Sequence, residues 1–393
     1  MGARKIKQFF RILLFQVIPS CILLFLPLTG YSDTFNIALV VPLSGVDRQA
    51  GIDFLQGFEF GKTVFENKTG KHTVQVHLGD SQSDTLTGYS VIKDFLSKDM
   101  DVFVGAFSAE VLPIAIGLIE KHGKPVITPS SIRLRDENGK CYNNLVRVAS
   151  MVAKVGDIVQ NWLTEQEINH VYILASGDTS GREISKVFKD AFRKNGGSVV
   201  GEAHVPSWSR NQDFSPYLVS LKSQAPDSVL VLFEGQSVSP FFSQYRDFGF
   251  TETTPLFVWD RGFSRSQDEN LSGVIAFGDY FPLYDAVLNS DFKKNYRSRF
   301  GHEATVYSVY GYNSSHLIMQ KIQKSKQKRD FLQLLAQKTN LDSPSGEIDV
   351  AFDGKPARKK TFFYKVQHEG VRDISKLLGV VGYESNAESG CIP

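Results

Sequence analysis

Short apolar runs alternate with stretches of helical spacing along most of the chain. Phe35–Val41 reads as a buried strand, Pro42-Leu43-Ser44-Gly45 breaks it, and Asp53–Asn67 follows with helical periodicity. Thr73–Leu78, Asp101–Gly105 and Pro125–Thr128 are the next strands. Between them lie helical stripes through Leu86, Tyr89, Ile92 and Leu96, and through Val111, Leu112, Ala115, Leu118 and Ile119. A second series begins with the stripe Val152, Val155, Val159 and Trp162 and the strand His170–Leu174. The stripe Ile184, Val187, Phe188, Ala191 and Phe192 ends at Asn195-Gly196-Gly197, which is good helix-stop chemistry. Ser228–Phe233 and Pro255–Trp259 are strands around a helix carrying Val238, Phe241, Phe242, Tyr245 and Phe248.

Strands and helices alternating at this length predict parallel sheets built from βαβ units. Two series in succession predict an α/β protein of two doubly wound, parallel-sheet lobes. Most of the 30 phenylalanines fall on the apolar stripes, so core packing is their expected role. From about Asp279 the alternation loosens. One long helix presents Val306, Tyr310, Asn313 and Leu317, and the basic stretch Lys321 to Arg329 reads as a solvated helix face. Gly346–Phe352 and Lys360–Val366 are too short for a further domain and are expected to complete the two lobes.

The first 32 residues differ in kind. A basic start (Arg4, Lys5, Lys7, Arg11), an apolar run from Ile12 to Leu28 and an exit through Gly30 and Ser32 have the three parts of a secretory leader. Cleavage before Asp33 is expected; the run is also close to spanning length, the mark of a retained anchor. Cys21 sits inside the run instead of closing it, which argues against lipid attachment. Without the leader's four basic residues, 40 of the 44 Lys and Arg remain against 42 Asp and Glu, a balance that gives no reason to expect nucleic acid. In an oxidising compartment the remaining cysteines, Cys141 and Cys391, are a disulfide candidate tying the tail to the loop around Asp136–Tyr142.

Catalytic motifs are missing from the sequence: there is no Gly-x-Ser-x-Gly, His-Glu-x-x-His, phosphate loop or Cys-x-x-Cys. The eight histidines do not cluster at ligand spacings. No enzyme activity, metal or cofactor is expected.

Several pieces in a fixed order carry a family likeness: Pro42-Leu43-Ser44-Gly45 with Gly51 and Gly57, Gly105-Ala106-Phe107-Ser108, and Lys124-Pro125-Val126-Ile127-Thr128-Pro129-Ser130. Val146-Arg147, Asp213-Phe214 and Tyr312-Asn313 continue it. The chain resembles the leucine/isoleucine/valine-type periplasmic binding proteins, which share the type I periplasmic solute-binding fold with receptor ligand-binding regions. The likeness implies three crossings between lobes, hence a three-strand hinge near Ala149, Gly278 and Ser345. Lobe 1 would comprise 33–149 and 279–344, and lobe 2 would comprise 150–278 and 345–393. It further implies a periplasmic clamp that traps a small molecule by hinge closure and hands it to an ATP-driven membrane permease. A ligand sensor or accessory protein of the envelope is the alternative, and the protein is expected as a monomer or a dimer formed through lobe 1.

Ligands of open α/β sheets bind beyond the carboxyl ends of strands where strand order reverses. That rule selects Ser44, Ser108, Ala109, Ser130, Ser131, Ile132 and Arg133 in lobe 1. In lobe 2 it selects Ser180, Glu234, Trp259, Asp260 and Arg261, with Tyr307 as an aromatic wall. The serines are equally suited to helix capping, and Arg133 and Arg261 equally to surface positions or to bidentate carboxylate pairing. Trp259 suits either the core or a stacking role. In amino-acid-binding members a lobe 1 serine and threonine hold the ligand carboxylate; by the likeness those positions fall at Ala109 and Ile132. The acidic positions for the ammonium group fall near Val152 and at Arg261, and the lobe 2 tyrosine near Ser180. The set for a zwitterionic amino acid is therefore incomplete, and a carboxylate or aromatic ligand is expected.

Overall fold

The computed structural model describes residues 32–66, 72–105, 111–132, 134, 138, 142, 144–206, 212–235, 237–263, 271–352, 357–369 and 372–385. The leader, Ser108, Ala109, Arg133, Cys141 and Cys391 lie outside these residues, and with them the expected disulfide.

Strands β1 (Thr34–Val41), β2 (Thr73–Asp80), β3 (Val102–Val104), β4 (Val126–Thr128) and β5 (Leu145–Arg147) form an all-parallel sheet in the order β2-β1-β3-β4-β5. In the second sheet β6 (His170–Ser176), β7 (Ser198–Val205), β8 (Ser228–Leu232), β9 (Leu256–Trp259) and β10 (Ile275–Gly278) are parallel. A short antiparallel pair, β11 (Thr339–Leu341) with β12 (Ile348–Val350), stands apart. The hairpin β13 (Ala357–Glu369) and β14 (Arg372–Ser385) then adds to the second sheet antiparallel, giving the order β7-β6-β8-β9-β10-β13-β14. The strand order reverses between β1 and β3 in one lobe and between β6 and β8 in the other, the two places where crevices open above the sheets.

Helix α1 (Arg48–Phe65) begins five residues before the apolar periodicity suggests. It packs against the late helix α9 (Val306–Lys324). The two approach backbone to backbone: a Cβ on Gly57 would fall 1.9 Å from Ser308 O, and one on Gly311 would fall 2.0 Å from Phe54 O. Phe54 and Phe58 are fully buried there, each worth about 2 kcal/mol of apolar transfer. The periodicity places one face of α9 in the core, but nearly the whole helix is buried, because α1 and α10 (Asp330–Leu335) also cover it. Two of its buried hydroxyls are bonded: Ser308 Oγ donates to Tyr296 OH at 2.9 Å and Ser314 Oγ to Tyr310 O at 2.8 Å.

The basic stretch after α9 is not a continuous solvated face. The helix ends at Lys324, Lys321 is buried, and Lys328 turns back to pin two strand ends. Its amide donates to Asp33 at 2.7 Å and its ammonium meets Asp101 at 3.0 Å. Residues Ile348, Val350 and Phe352 share a core with β1, α1 and α9. Another core joins the remaining face of the first sheet to helices α4 (Val152–Glu165) and α5 (Thr179–Lys194), so apolar packing runs from one lobe into the other. Among the described residues no helix is long and apolar enough to cross a membrane.

Candidate functional site

The loops that leave β4, β6, β8 and β9 come into contact with one another. The turn after β6 is fixed by Asp178, whose carboxylate accepts from Gly181 N at 2.7 Å and caps α5. Ser180 therefore sits in the first helical turn, where free backbone amides favour negative charge. Two residues beyond β8 stands Glu234, followed by Gly235 at φ +74°. A Cβ on Gly235 would fall 2.8 Å from Asp47 Oδ1 of the first lobe, so only glycine lets this loop touch its counterpart. After β9 a single 3-10 turn, Asp260–Gly262, turns Arg261 inward.

Arg261 is the centre of the arrangement and is 2% exposed. Its Nη1 donates to Glu234 Oε1 at 2.5 Å. Its Nη2 donates across the lobes, to Pro129 O at 3.0 Å and to Tyr310 OH at 3.3 Å. The guanidinium carbon lies 4.7 Å from the Trp259 ring centre and 5.2 Å from that of Tyr310, both within cation–π range. Burial works against its charge, but Tyr310 and Glu234 more than offset that and hold the guanidinium protonated. Glu234 in turn accepts from Ser180 Oγ at 2.5 Å and, at a long 3.5 Å, from Ser131 Oγ of the first lobe.

A second tier of contacts leads from this site to the crossings between lobes. Tyr310 OH donates to Asp279 Oδ2 at 2.7 Å, and the same oxygen accepts from Ser150 N at 2.8 Å. Asp260 Oδ2 accepts from Tyr280 N at 3.1 Å, while its Oδ1 has no partner among the described residues. Burial, then the neighbouring charge of Asp279, raises the Asp260 pKa well above the usual carboxylate range. Lys359 on β13 reaches back to Val148 O at 3.2 Å and Arg147 O at 3.4 Å, and its burial lowers its pKa to about 8.

The structure thus brings Ser131, Ser180, Glu234, Trp259, Asp260, Arg261 and Tyr307 into one region. Tyr307 is buried and lies edge-on to Tyr310, with ring centres 6.1 Å apart. Trp259 belongs to the core shared by the lobes, packed near Phe188, with Arg261 over its ring. Ser44 donates to Asp80 Oδ2 at 2.8 Å at the end of β2. The Ser130 carbonyl accepts from Arg147 Nη1 at 2.6 Å, and Ile132 is part of a core cluster. Sequence reasoning missed Tyr310, Pro129 and Asp279. Tyr310 stands one turn beyond Tyr307 on α9 and Asp279 directly follows a strand, so both carried a signal; a backbone carbonyl such as that of Pro129 carries none.

The periplasmic binding protein family matches residues 34–371. No curated protein matches the chain. Among solved structures, an ABC-transporter solute-binding protein of Rhodopseudomonas palustris in complex with 3,4-dihydroxybenzoic acid is similar at 20% identity and a TM-score of 0.76. The alignment covers 90% of this chain and 98% of that one. Another from R. palustris, in complex with benzoate, has 17% identity and a TM-score of 0.77 over 91% of this chain and 99% of its own. A leucine-binding protein of Thermotoga maritima has 17% identity and a TM-score of 0.72 over 88% and 98%. At these identities the likeness is one of fold. With the family match spanning nearly all the described residues, the chain belongs to the periplasmic binding protein family.

Proposed function

We propose that this protein is the periplasmic receptor of an ATP-driven importer, a clamp that traps a small organic molecule between its lobes and presents it to a membrane permease. The observation that carries the proposal is the convergence of Ser131, Ser180, Glu234 and Arg261 from strand ends of both sheets onto one point between the lobes. Ligand capture there needs binding and hinge closure only, with no chemical step. Residues 1–32 act as a removed leader in this reading. In this reading lobe 1 comprises 33–149 with 279–344 and lobe 2 comprises 150–278 with 345–393, save that Ile348, Val350 and Phe352 pack in the core with β1, α1 and α9.

The ligand we favour carries a carboxylate and an aromatic ring. Arg261 and the two serines supply anion donors, and Tyr307 and Tyr310 supply flat apolar faces. Relatives of the same fold are seen with benzoate and 3,4-dihydroxybenzoic acid. A thermal-shift screen over aromatic acids, aliphatic carboxylates, amides, amino acids and sugars tests this directly. Aromatic acids should raise the melting temperature, while leucine, valine and glutamate at millimolar concentration should not. A clear shift with those amino acids alone would refute the ligand assignment, and failure of every class would refute the clamp.

A further inference from the structure

We propose that the Glu234 carboxylate is an internal stand-in for an anionic ligand: it closes the ligand-free cleft by taking the seat that the ligand's own anionic group later occupies. This rests on the clamp reading above. Three donors surround the Glu234 carboxylate: Arg261 Nη1 at 2.5 Å, Ser180 Oγ at 2.5 Å and Ser131 Oγ at 3.5 Å. Two come from the second lobe and one from the first. A guanidinium and two hydroxyls, one of them in the first turn of a helix, are what a free carboxylate would require.

The two members of the pair are held unequally. Arg261 is fixed without Glu234, by Pro129 O, Tyr310 OH and two aromatic faces, and its side chain is 2% exposed. The Glu234 side chain is 20% exposed and rises from a loop that turns at Gly235. The arginine is thus the stationary partner and the glutamate the one able to leave. Arg261 Nε is buried and has no partner among the described residues. An incoming anion that engages Nε gains a donor that Glu234 leaves unused.

Charge decides what is able to replace Glu234. A neutral or cationic molecule that displaced it would leave a buried guanidinium without its closest counter-charge, which is strongly unfavourable. The nearest other carboxylates make no hydrogen bond to Arg261 among the described residues: Asp279 accepts from Tyr310 OH and acts on Arg261 only through space, and Asp260 accepts from Tyr280 N. An anion exchanges for Glu234 at no net change in buried charge. Glu234 therefore sets the specificity of the cleft by competition and, alongside the Arg261 bonds to Pro129 O and Tyr310 OH, helps to hold the lobes together when no ligand is present.

The test is Glu234→Gln in the purified protein, followed by solution scattering and by calorimetry with benzoate, benzamide and benzylamine. The ligand-free variant should have a larger radius of gyration than the wild type and should contract on adding benzoate by more than the wild type does. Benzoate should bind the variant about ten-fold more tightly, with the other two probes no better than before. A cooperative melt confirms that the variant is folded, and Ser131→Ala should also expand the ligand-free protein. A variant as compact as the wild type, binding benzoate no more tightly, overturns the proposal. Tighter benzylamine binding to wild type than to variant also overturns it, because Glu234 would then be the ligand's own counter-ion. If no probe of any charge binds either form, the solute reading falls and anion exchange with it, while the scattering comparison still decides whether Glu234 holds the lobes closed.

Discussion

Lys359→Met removes a buried ammonium from the crossing between lobes, and its effect on stability should change sign with pH. Lys359 donates to the carbonyls of Val148 and Arg147 at 3.2 and 3.4 Å, and burial lowers its pKa from 10.5 to about 8. The attraction of Asp279 and Asp349 opposes that shift but does not cancel it. Above pH 10.5 the amine is neutral in the folded and unfolded chains alike. As pH falls towards 8 the unfolded chain takes up the proton first, so stability is lost across this window. At 1.36 kcal/mol per tenfold change in proton affinity the loss totals about 3 kcal/mol. Methionine abolishes that loss but also the two long hydrogen bonds, each worth about 1 kcal/mol. At pH 7 the variant should therefore be more stable by about 1 kcal/mol, and above pH 10 less stable by about 2 kcal/mol. Paired thermal melts of both proteins from pH 7 to 10.5 read the difference, and other titrating groups such as Lys321 cancel in it. Parallel profiles, with no crossing, would refute the argument that the native fold prefers the neutral amine.

Gly278→Ala should cost several kcal/mol (about 3, the scale of a strained backbone plus overpacking). A Cβ at φ +154° would fall 2.0 Å from Asp260 Cγ; a melting temperature within a degree of wild type would show that this crossing relaxes freely. Asp260→Asn should stabilise the protein at neutral pH. The native carboxyl is held protonated above the range in which the unfolded chain ionises, so its contribution to wild-type stability declines as pH rises past 4, and the variant lacks that decline. Melts between pH 4 and 7 check this, and an unchanged slope would count against it.

The alternation of strands and helices was legible because β1, β3, β4, β6, β8 and β9 are almost continuously buried and read as solid apolar runs. β7 was not, since Gly201, Glu202 and His204 interrupt it and most of its residues are only half buried. The strand β14 escaped for a similar reason: Leu377, Leu378 and Val380 are partly exposed, and Gly379 and Gly382 break the period of two. The strand-end rule selected Ser131, Ser180, Glu234 and Arg261, which the structure brings together, but not how they pair. Arg261 read as a candidate for a ligand carboxylate; its nearest carboxylate belongs to the chain itself. Such a pairing between residues 27 apart depends on how two loops face each other and leaves no periodic trace.

The bare crossing of α1 and α9 at Gly57 and Gly311 leaves no room for a methyl group between the two backbones. A helix seated that tightly is able neither to roll nor to slide, so Tyr307 and Tyr310 keep their places whatever enters the cleft. In the proposed clamp they would act as a fixed jaw. Adjustment to the shape of a guest falls to the opposing side, to the loops carrying Ser180 and Glu234, and substitutions there should alter which molecules are accepted without retooling the rest.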